Sequence, residues 1–416
     1  MSSTTVPSLQ VVGGRRWLAR ARDVAGVERE LSRIWAAAAH DVEASGDERE
    51  LEAARGEPHL AGRLDRAGDV RVRMRTSVLT LLVVAPRPET AERALDAINV
   101  LATRHPSRAV VLAPGDLDGP SRFEAQIFAQ CLVPARGAVE TCTEQIVVGC
   151  GGELAQHLAE LVTPLLIHDL PVVLWWPDDP PIGRGQFGEL VEEADRMLVD
   201  SGTFRDDGAL RLVALDEVVR AGRTTVFDVG WLRLALWREL LAGLFDHPLL
   251  TPELPTLRSL RIDVAKPGST LRTAKAALFA GWLAARLGWR LVEPLAARHG
   301  AAFPGAMFRS EHGLVHLEIR AAAPGSDPAL RSPGSLARVE LELGRRGHDV
   351  RARVTRQADH LLATADWQGV QVCRRAGRLE HFGDAPYLAE ALDRGAPDRV
   401  FEAALAQASL LVGAAA

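Results

Sequence analysis

Along the first half of the chain, apolar runs of strand length alternate with stretches whose apolar residues recur every three or four positions. The run Ser77-Val-Leu-Thr-Leu-Leu-Val-Val-Ala85 is almost continuously apolar, as a strand covered on both faces must be. Ala91, Leu95, Ile98 and Leu101 then fall at helical spacing among charged residues, so the pattern predicts a helix over 88–103 with Pro88 in its first turn. Strands are expected at 109–113, 127–133, 145–149, 170–176 and 197–200, and helices at 153–167 and 187–194, Pro164 shortening or kinking the former. A last strand is read at 210–215. Such alternation implies a largely parallel sheet with helices on both faces.

After residue 225 the period changes. Asp228 is a suitable N-cap for a helix over 229–245, which Pro248, Pro252 and Pro255 terminate. A strand over 257–264 leads to a second helix, capped by Ser269 or Thr270 and stopped by Gly288. Beyond it, apolar and charged residues alternate in Val339, Leu341, Leu343 and in Val350, Ala352, Val354. Short strands over 314–320, 336–343, 350–355, 361–367 and 370–374 therefore read as an antiparallel meander with one wet face, and a helix over 397–411 follows. The expectation is an α/β chain in three parts: an N-terminal helix and polar linker (1–69), an α/β domain with a largely parallel sheet (70–225), and an α+β domain with the meander (226–416). The N-terminal part contains an amphipathic stretch over 27–39 and a polar run over 41–69.

The composition suits a folded chain of 416 residues, with 47% hydrophobic and 25% charged positions. Arginine supplies nearly all the positive charge, lysine occurring only at Lys266 and Lys275, and the formal net charge is -5. That balance argues against a protein whose affinity comes from neutralising phosphate backbones, so nucleic acid is not an expected partner. The start, Met-Ser-Ser-Thr-Thr-Val-Pro, lacks a basic region followed by an apolar stretch. The most apolar windows, 161–176 and 231–245, are interrupted by charges. A cytoplasmic protein with no membrane contact is expected. Cys131, Cys142, Cys150 and Cys373 form no C-x-x-C pair and have no histidine at zinc-ligand spacing, so they read as small core residues in a reducing compartment.

Four features bear on chemistry. Gly149, Gly151 and Gly152 sit where a strand enters a helix, a place suited to phosphate, although the spacing matches neither a dinucleotide fingerprint nor a Walker loop. The turn reads as a tight connection, or alternatively as the cradle of a sugar-phosphate or nucleotide enzyme or of a metabolite sensor. Arg104, His105 and Arg108 cluster between a helix and a strand; they can hold a sugar phosphate or a partner's carboxylates, or simply cap the helix. Trp175 and Trp176 precede a loop with Asp178 and Asp179 at the carboxyl end of a strand, where ligands and partners of open α/β sheets bind. Arg233 and Arg238 lie in the first helix of the second domain. The expected partner-contact residues are Arg104, His105, Arg108, Trp176, Asp178, Asp179, Arg233 and Arg238. No nucleophile with its base, paired carboxylates or histidine cluster emerges, so no catalytic residue, cofactor or metal is expected.

The strings Asn99-Val-Leu-Ala-Thr-Arg-His-Pro-Ser-Arg-Ala109, His168-Asp-Leu-Pro-Val-Val-Leu-Trp-Trp-Pro177 and Ala194-Asp-Arg-Met-Leu-Val-Asp-Ser201 occur in that order. They continue with Asp228-Val-Gly-Trp-Leu-Arg-Leu, Leu236-Trp-Arg-Glu-Leu-Leu-Ala, Phe245-Asp and Leu278-Phe-Ala-Gly-Trp-Leu-Ala-Ala-Arg-Leu-Gly-Trp289. Together they resemble the glucose-6-phosphate dehydrogenase assembly protein family, OpcA, over roughly 75–289. The resemblance implies an α/β domain followed by an α+β domain that bind glucose-6-phosphate dehydrogenase, promote its active oligomer and raise its activity without chemistry of their own. The cysteines do not match the pattern linked to thioredoxin control in cyanobacterial relatives, and that role is not carried over.

Overall fold

The computed structural model describes residues 15–45, 74–75, 77–102, 104–132, 141–183, 185–205, 208–266, 268, 270–297, 304–322, 334–344, 348–379 and 383–413. The expectations for the start of the chain and for most of the polar run over 41–69 lie outside these residues. The chain forms two compact units, the first comprising Met1–Pro177 with Gly185–Met197, the second Asp178–Arg184 with Leu198–Ala416.

The first unit opens with β1 (Arg15–Ala21) and the helix α1 (Val24–Ser45), then β2 (Met74–Arg75), β3 (Leu79–Val84), α2 (Pro88–Leu101), β4 (Ser107–Pro114), β5 (Arg122–Leu132) and β6 (Thr141–Gly151). Two short helices, α3 (Glu153–Gln156) and α4 (Leu158–Val162), lead to β7 (Val172–Trp176) and α5 (Gly185–Glu192). Within this unit the strands lie in the order β1-β5-β6-β4-β3-β7. The neighbours β6, β4, β3 and β7 are parallel, and β3 and β7 are buried at every position. This is the covered parallel core that their continuous apolar character dictates. β5 pairs antiparallel with both β6 and β1; only eight residues separate β5 from β6, fewer than the dozen or so that a parallel crossover needs. The single helix expected over 153–167 is instead α3, α4 and a 3-10 turn over Thr163–Leu165.

β8 (Arg196–Val199) crosses the boundary between the units. The second unit continues with α6 (Gly208–Ala221), β9 (Thr225–Asp228), α7 (Val229–Leu232), α8 (Ala235–Leu244), β10 (Ser259–Val264), α9 (Ala274–Leu287), β11 (Arg290–Ala297), β12 (Pro304–Ser310) and β13 (Gly313–Ala321). β14 (Leu336–Leu343), β15 (Val350–Arg356), β16 (His360–Trp367), β17 (Val370–Arg378), α10 (Ala385–Asp393) and α11 (Arg399–Gly413) complete it. The strand expected over 210–215 is a helix: Gly208, Leu212, Leu215 and Asp216 are its buried positions, a spacing of three to four that a six-residue window hides.

The sheet of this unit runs β11-β12-β13-β10-β14-β15-β16-β17. Only β10 and β13 pair in parallel; the remaining neighbours are antiparallel. Its apolar face includes Leu260, Ile262, Val339, Leu341, Ala352, Val354, Ala363 and Ala365, all buried. The other face carries Arg261, Glu318, Glu340 and Arg353. α9 packs against α11 so closely that a Cβ on Gly281 would stand 2.3 Å from the Ala404 carbonyl oxygen. α9 ends at Gly288 in the left-handed region (φ 66°), a conformation glycine adopts without steric penalty.

Candidate functional site

A charged cluster assembles in the second unit where β8 and β9 end. The buried strand β8 delivers Asp200, whose carboxylate accepts the Gly202 amide at 2.9 Å and so caps a 3-10 turn over Ser201–Thr203. β9 delivers Asp228, the N-cap of α7, which accepts the Gly230 amide at 2.9 Å. Asp228 also accepts the Ser201 amide at 2.8 Å and the Ser201 hydroxyl at 2.6 Å. Two acid-capped turns are thereby locked together. Gly230 permits this approach: a Cβ there would lie 2.3 Å from the Ser201 Oγ.

Arg233, just beyond α7, joins the same group. Its guanidinium ion-pairs with Asp200 and reaches Asp384 at 2.8 Å, and it stacks 5.1 Å from the Tyr387 ring centroid. Lys275, in the first turn of α9, places its amine beside Gly202, since a Cβ on that glycine would lie 3.3 Å from Nζ. Burial pushes the Asp228 carboxyl up to about 6; nearby Asp200 adds to the rise and the three hydrogen bonds oppose it. Burial brings the Lys275 amine down to about 8 against the pull of Asp200. For Arg233 burial also disfavours charge, but Asp200 and Asp384 override it and the guanidinium stays firmly charged. The arrangement is a buried, mutually compensated set of charges drawn from four chain segments. Among the described residues no group of three or more His, Cys, Asp or Glu side chains is placed to hold a metal.

The residues singled out from sequence take different places. In the first unit Arg104 is exposed and His105 half-buried, whereas Arg108 is buried. Arg108 donates to Glu144 at 2.6 Å, to Glu28 at 2.8 Å and to the Leu165 carbonyl at 3.0 Å; Trp35 donates to the other Glu144 oxygen at 2.5 Å. Trp176 is buried against Phe187, ring centroids 5.6 Å apart. In the second unit Asp178 is buried, and Asp179 pairs with Arg211 at 3.0 Å and accepts the Arg205 amide at 3.2 Å. Arg238 does not join Arg233. It lies over the Trp231 ring, 3.3 Å from its centroid, and donates to the Trp231 carbonyl at 2.9 Å. Burial lowers the Arg238 guanidinium to about 10, with Asp398 opposing.

Asp200, Ser201, Lys275 and Asp384 do not stand out in the sequence, and Asp228 reads there only as a cap. The available signal was an apolar strand ending in aspartate in two places, Met197-Leu-Val-Asp200 and Val226-Phe-Asp228. The glycine turn is closed. Gly152 (φ 60°) donates its amide to the Asp116 carbonyl at 2.8 Å, and a Cβ on it would meet the Gly119 carbonyl and Ser121 amide at 2.6 Å. The place a phosphate would take is thus filled by 119–121, and the helix behind the turn has four residues. Cys150 and Cys373 are reduced, burial raising the Cys150 thiol to about 11 against Arg122. Cys142 departs from the expected reduced state: it is disulfide-bonded. Its register partner across the β5–β6 pair is Cys131, a relation that only strand pairing reveals.

An α/β unit followed by an α+β unit, the latter holding a buried, internally paired charge cluster around Asp200, defines the class: a two-unit α/β scaffold. The match to known proteins is specific. Residues 98–215 match the glucose-6-phosphate dehydrogenase subunit N-terminal domain and residues 224–405 the corresponding C-terminal domain, so the chain belongs to the OpcA family. A relative from Synechococcus elongatus, named provisionally as the OxPP cycle protein OpcA, is 32% identical over 234 residues, 56% of this chain and 51% of that one. A relative of the same name from Nostoc punctiforme is 33% identical over 195 residues, 46% of this chain and 40% of that one. The chain thus spans about half the length of the curated relatives it matches. Among solved structures, the WlbA dehydrogenase of Thermus thermophilus in complex with NAD and UDP-GlcNAcA superposes with a TM-score of 0.41 at 13% identity, over 80% of this chain and 94% of that one. Nothing about activity follows from so distant a likeness.

Proposed function

We propose that this chain is a non-catalytic cytoplasmic partner of glucose-6-phosphate dehydrogenase that binds the enzyme's active state more tightly than its inactive state, and so raises flux through the oxidative pentose phosphate cycle. The observation that carries this reading is the succession of both family domains along 98–405, each described as part of a glucose-6-phosphate dehydrogenase subunit. The side chains support it in kind. Three of the strongly perturbed groups, Asp228, Lys275 and Arg233, lie within one buried cluster and influence one another, as in a structural cluster. The shift such a partner can impose equals its difference in affinity for the two states. Exposed Arg104, with half-buried His105, offers a first-unit contact for partner carboxylates.

The test is co-purification with the dehydrogenase of the same organism, followed by its glucose 6-phosphate saturation curve with and without this chain. A complex and a curve displaced to lower substrate are expected; no complex and superimposed curves overturn the reading. The sugar-phosphate or nucleotide reading of the Gly149–Gly152 turn is not favoured, because 119–121 fills it.

A further inference from the structure

The two edges of the second unit's sheet are built differently. β11 carries Pro294, which has no amide to donate, and its register shifts twice against β12; such an edge resists another strand. β17 ends the other side of the sheet as nine residues without proline. Its register against β16 shifts once, near the turn, and then runs regularly from Cys373 to Arg378.

One row of side chains crossing the polar face alternates in charge. Glu318 lies opposite Arg261, Arg261 opposite Glu340, and Glu340 opposite Arg353, with Arg261 and Glu340 3.1 Å apart. The row passes through Thr364 and ends at Arg374 on β17. Arg374 and Arg378 are exposed, and among the described residues neither makes a hydrogen bond or an ion pair within 4 Å, although Arg378 is near enough to Asp359 to help hold that carboxyl down. They share one face of the strand, about 13 Å apart at 3.3 Å per residue. The next member of the row would be a carboxylate.

Charge selects the occupant. A second copy of this chain pairing through β17 would set these arginines against their own counterparts, and like charges directly opposite are destabilising. We infer that the outer edge of β17 accepts an extended acidic segment of the dehydrogenase partner as a ninth strand, its carboxylates four residues apart meeting Arg374 and Arg378. This rests on the function proposed above. Backbone hydrogen bonds supply affinity in strand addition, and the side-chain pairs set register and partner.

The experiment measures the dissociation constant of the full chain for the dehydrogenase of the same organism, for wild type, R374E/R378E and the control R309E, which reverses an exposed arginine on the inner strand β12. The double reversal should weaken binding by about tenfold, R309E by less than twofold, and amide exchange across 373–378 should slow in the wild-type complex. If R374E/R378E does not fold, R374Q/R378Q is read in its place, with a smaller loss expected. Unchanged affinity in the double variant, or unprotected β17 amides in the complex, overturns the inference and leaves the proposed function standing. Absence of any wild-type complex overturns the function itself.

Discussion

At Gly230 the second unit leaves no room for a side chain, a Cβ there meeting Ser201 Oγ at 2.3 Å and the Gly202 amide nitrogen at 3.0 Å. Gly230→Ala should therefore destabilise the chain by about 1–3 kcal/mol through overpacking, read as a lower urea midpoint. Gly188, on the exposed side of α5, meets nothing within 4 Å. Gly188→Ala should stabilise by about 0.5–1 kcal/mol, because alanine loses less backbone entropy in a helix. Equal effects of the two changes would contradict the packing described for Asp228, Ser201 and Gly230.

Asp228 gives the cluster a pH signature. Its folded carboxyl titrates near 6 instead of 3.8, so the folded state binds that proton more tightly. The contribution to stability is fully present below about 3.8 and is lost as the pH rises through 6, on the order of 3 kcal/mol for the shift. Lys275 has the opposite sign: its amine falls from 10.5 to about 8, so its contribution is present above 10.5 and is lost as the pH falls through 8. Between 6 and 8 both groups carry charge. Asp228→Asn retains an acceptor for the two amides and removes the titration. Wild type should gain stability relative to Asp228→Asn between pH 6 and pH 4, measured by urea unfolding; parallel curves would contradict the burial of a titrating carboxyl.

At the scale of elements, the Arg108–Glu144 pair fixes β4 to β6, with side chains 4% and 0% exposed. Arg108→Ala leaves Glu144 charged in the core and should cost about 3–5 kcal/mol, whereas Arg108→Met with Glu144→Met should recover most of it. A double variant as unstable as the single would show that shape, not charge, holds this place.

The same elements show what the sequence made legible. β3, β4 and β7 are evident because a strand covered on both faces must be apolar throughout, and α9 because Gly288 stops it in the left-handed region. The meander β14 to β17 is plain from its period of two. Over the short window 210–215, α6 resembles a strand because Leu210, Leu212 and Val213 dominate it, while the pattern that decides the matter runs from Gly208 to Asp216. The cluster around Asp200 was not legible. Its members come from β8, β9, α9 and the approach to α10, so their convergence depends on strand order and helix packing, which leave no periodic trace. Arg108 and Arg233 looked like surface chemistry because arginine usually is; each instead meets carboxylates distant in sequence, Glu144 in one case and Asp200 and Asp384 in the other.

Over the molecule as a whole, the chain joins two stable units in which most unusual charges are matched within their own unit, and it carries both domains of a family described by its relation to glucose-6-phosphate dehydrogenase. A partner that acts by choosing between conformations must obey reciprocity: whatever factor it adds to the enzyme's affinity for substrate, substrate adds to the enzyme's affinity for it. The most direct measurement is the dissociation constant of this chain for the dehydrogenase without glucose 6-phosphate and with it at saturation. If the chain selects the active state, it binds more tightly with the sugar phosphate present, by the same factor by which saturating chain tightens substrate binding to the enzyme. Equal dissociation constants in the two conditions, or no binding in either, would contradict it.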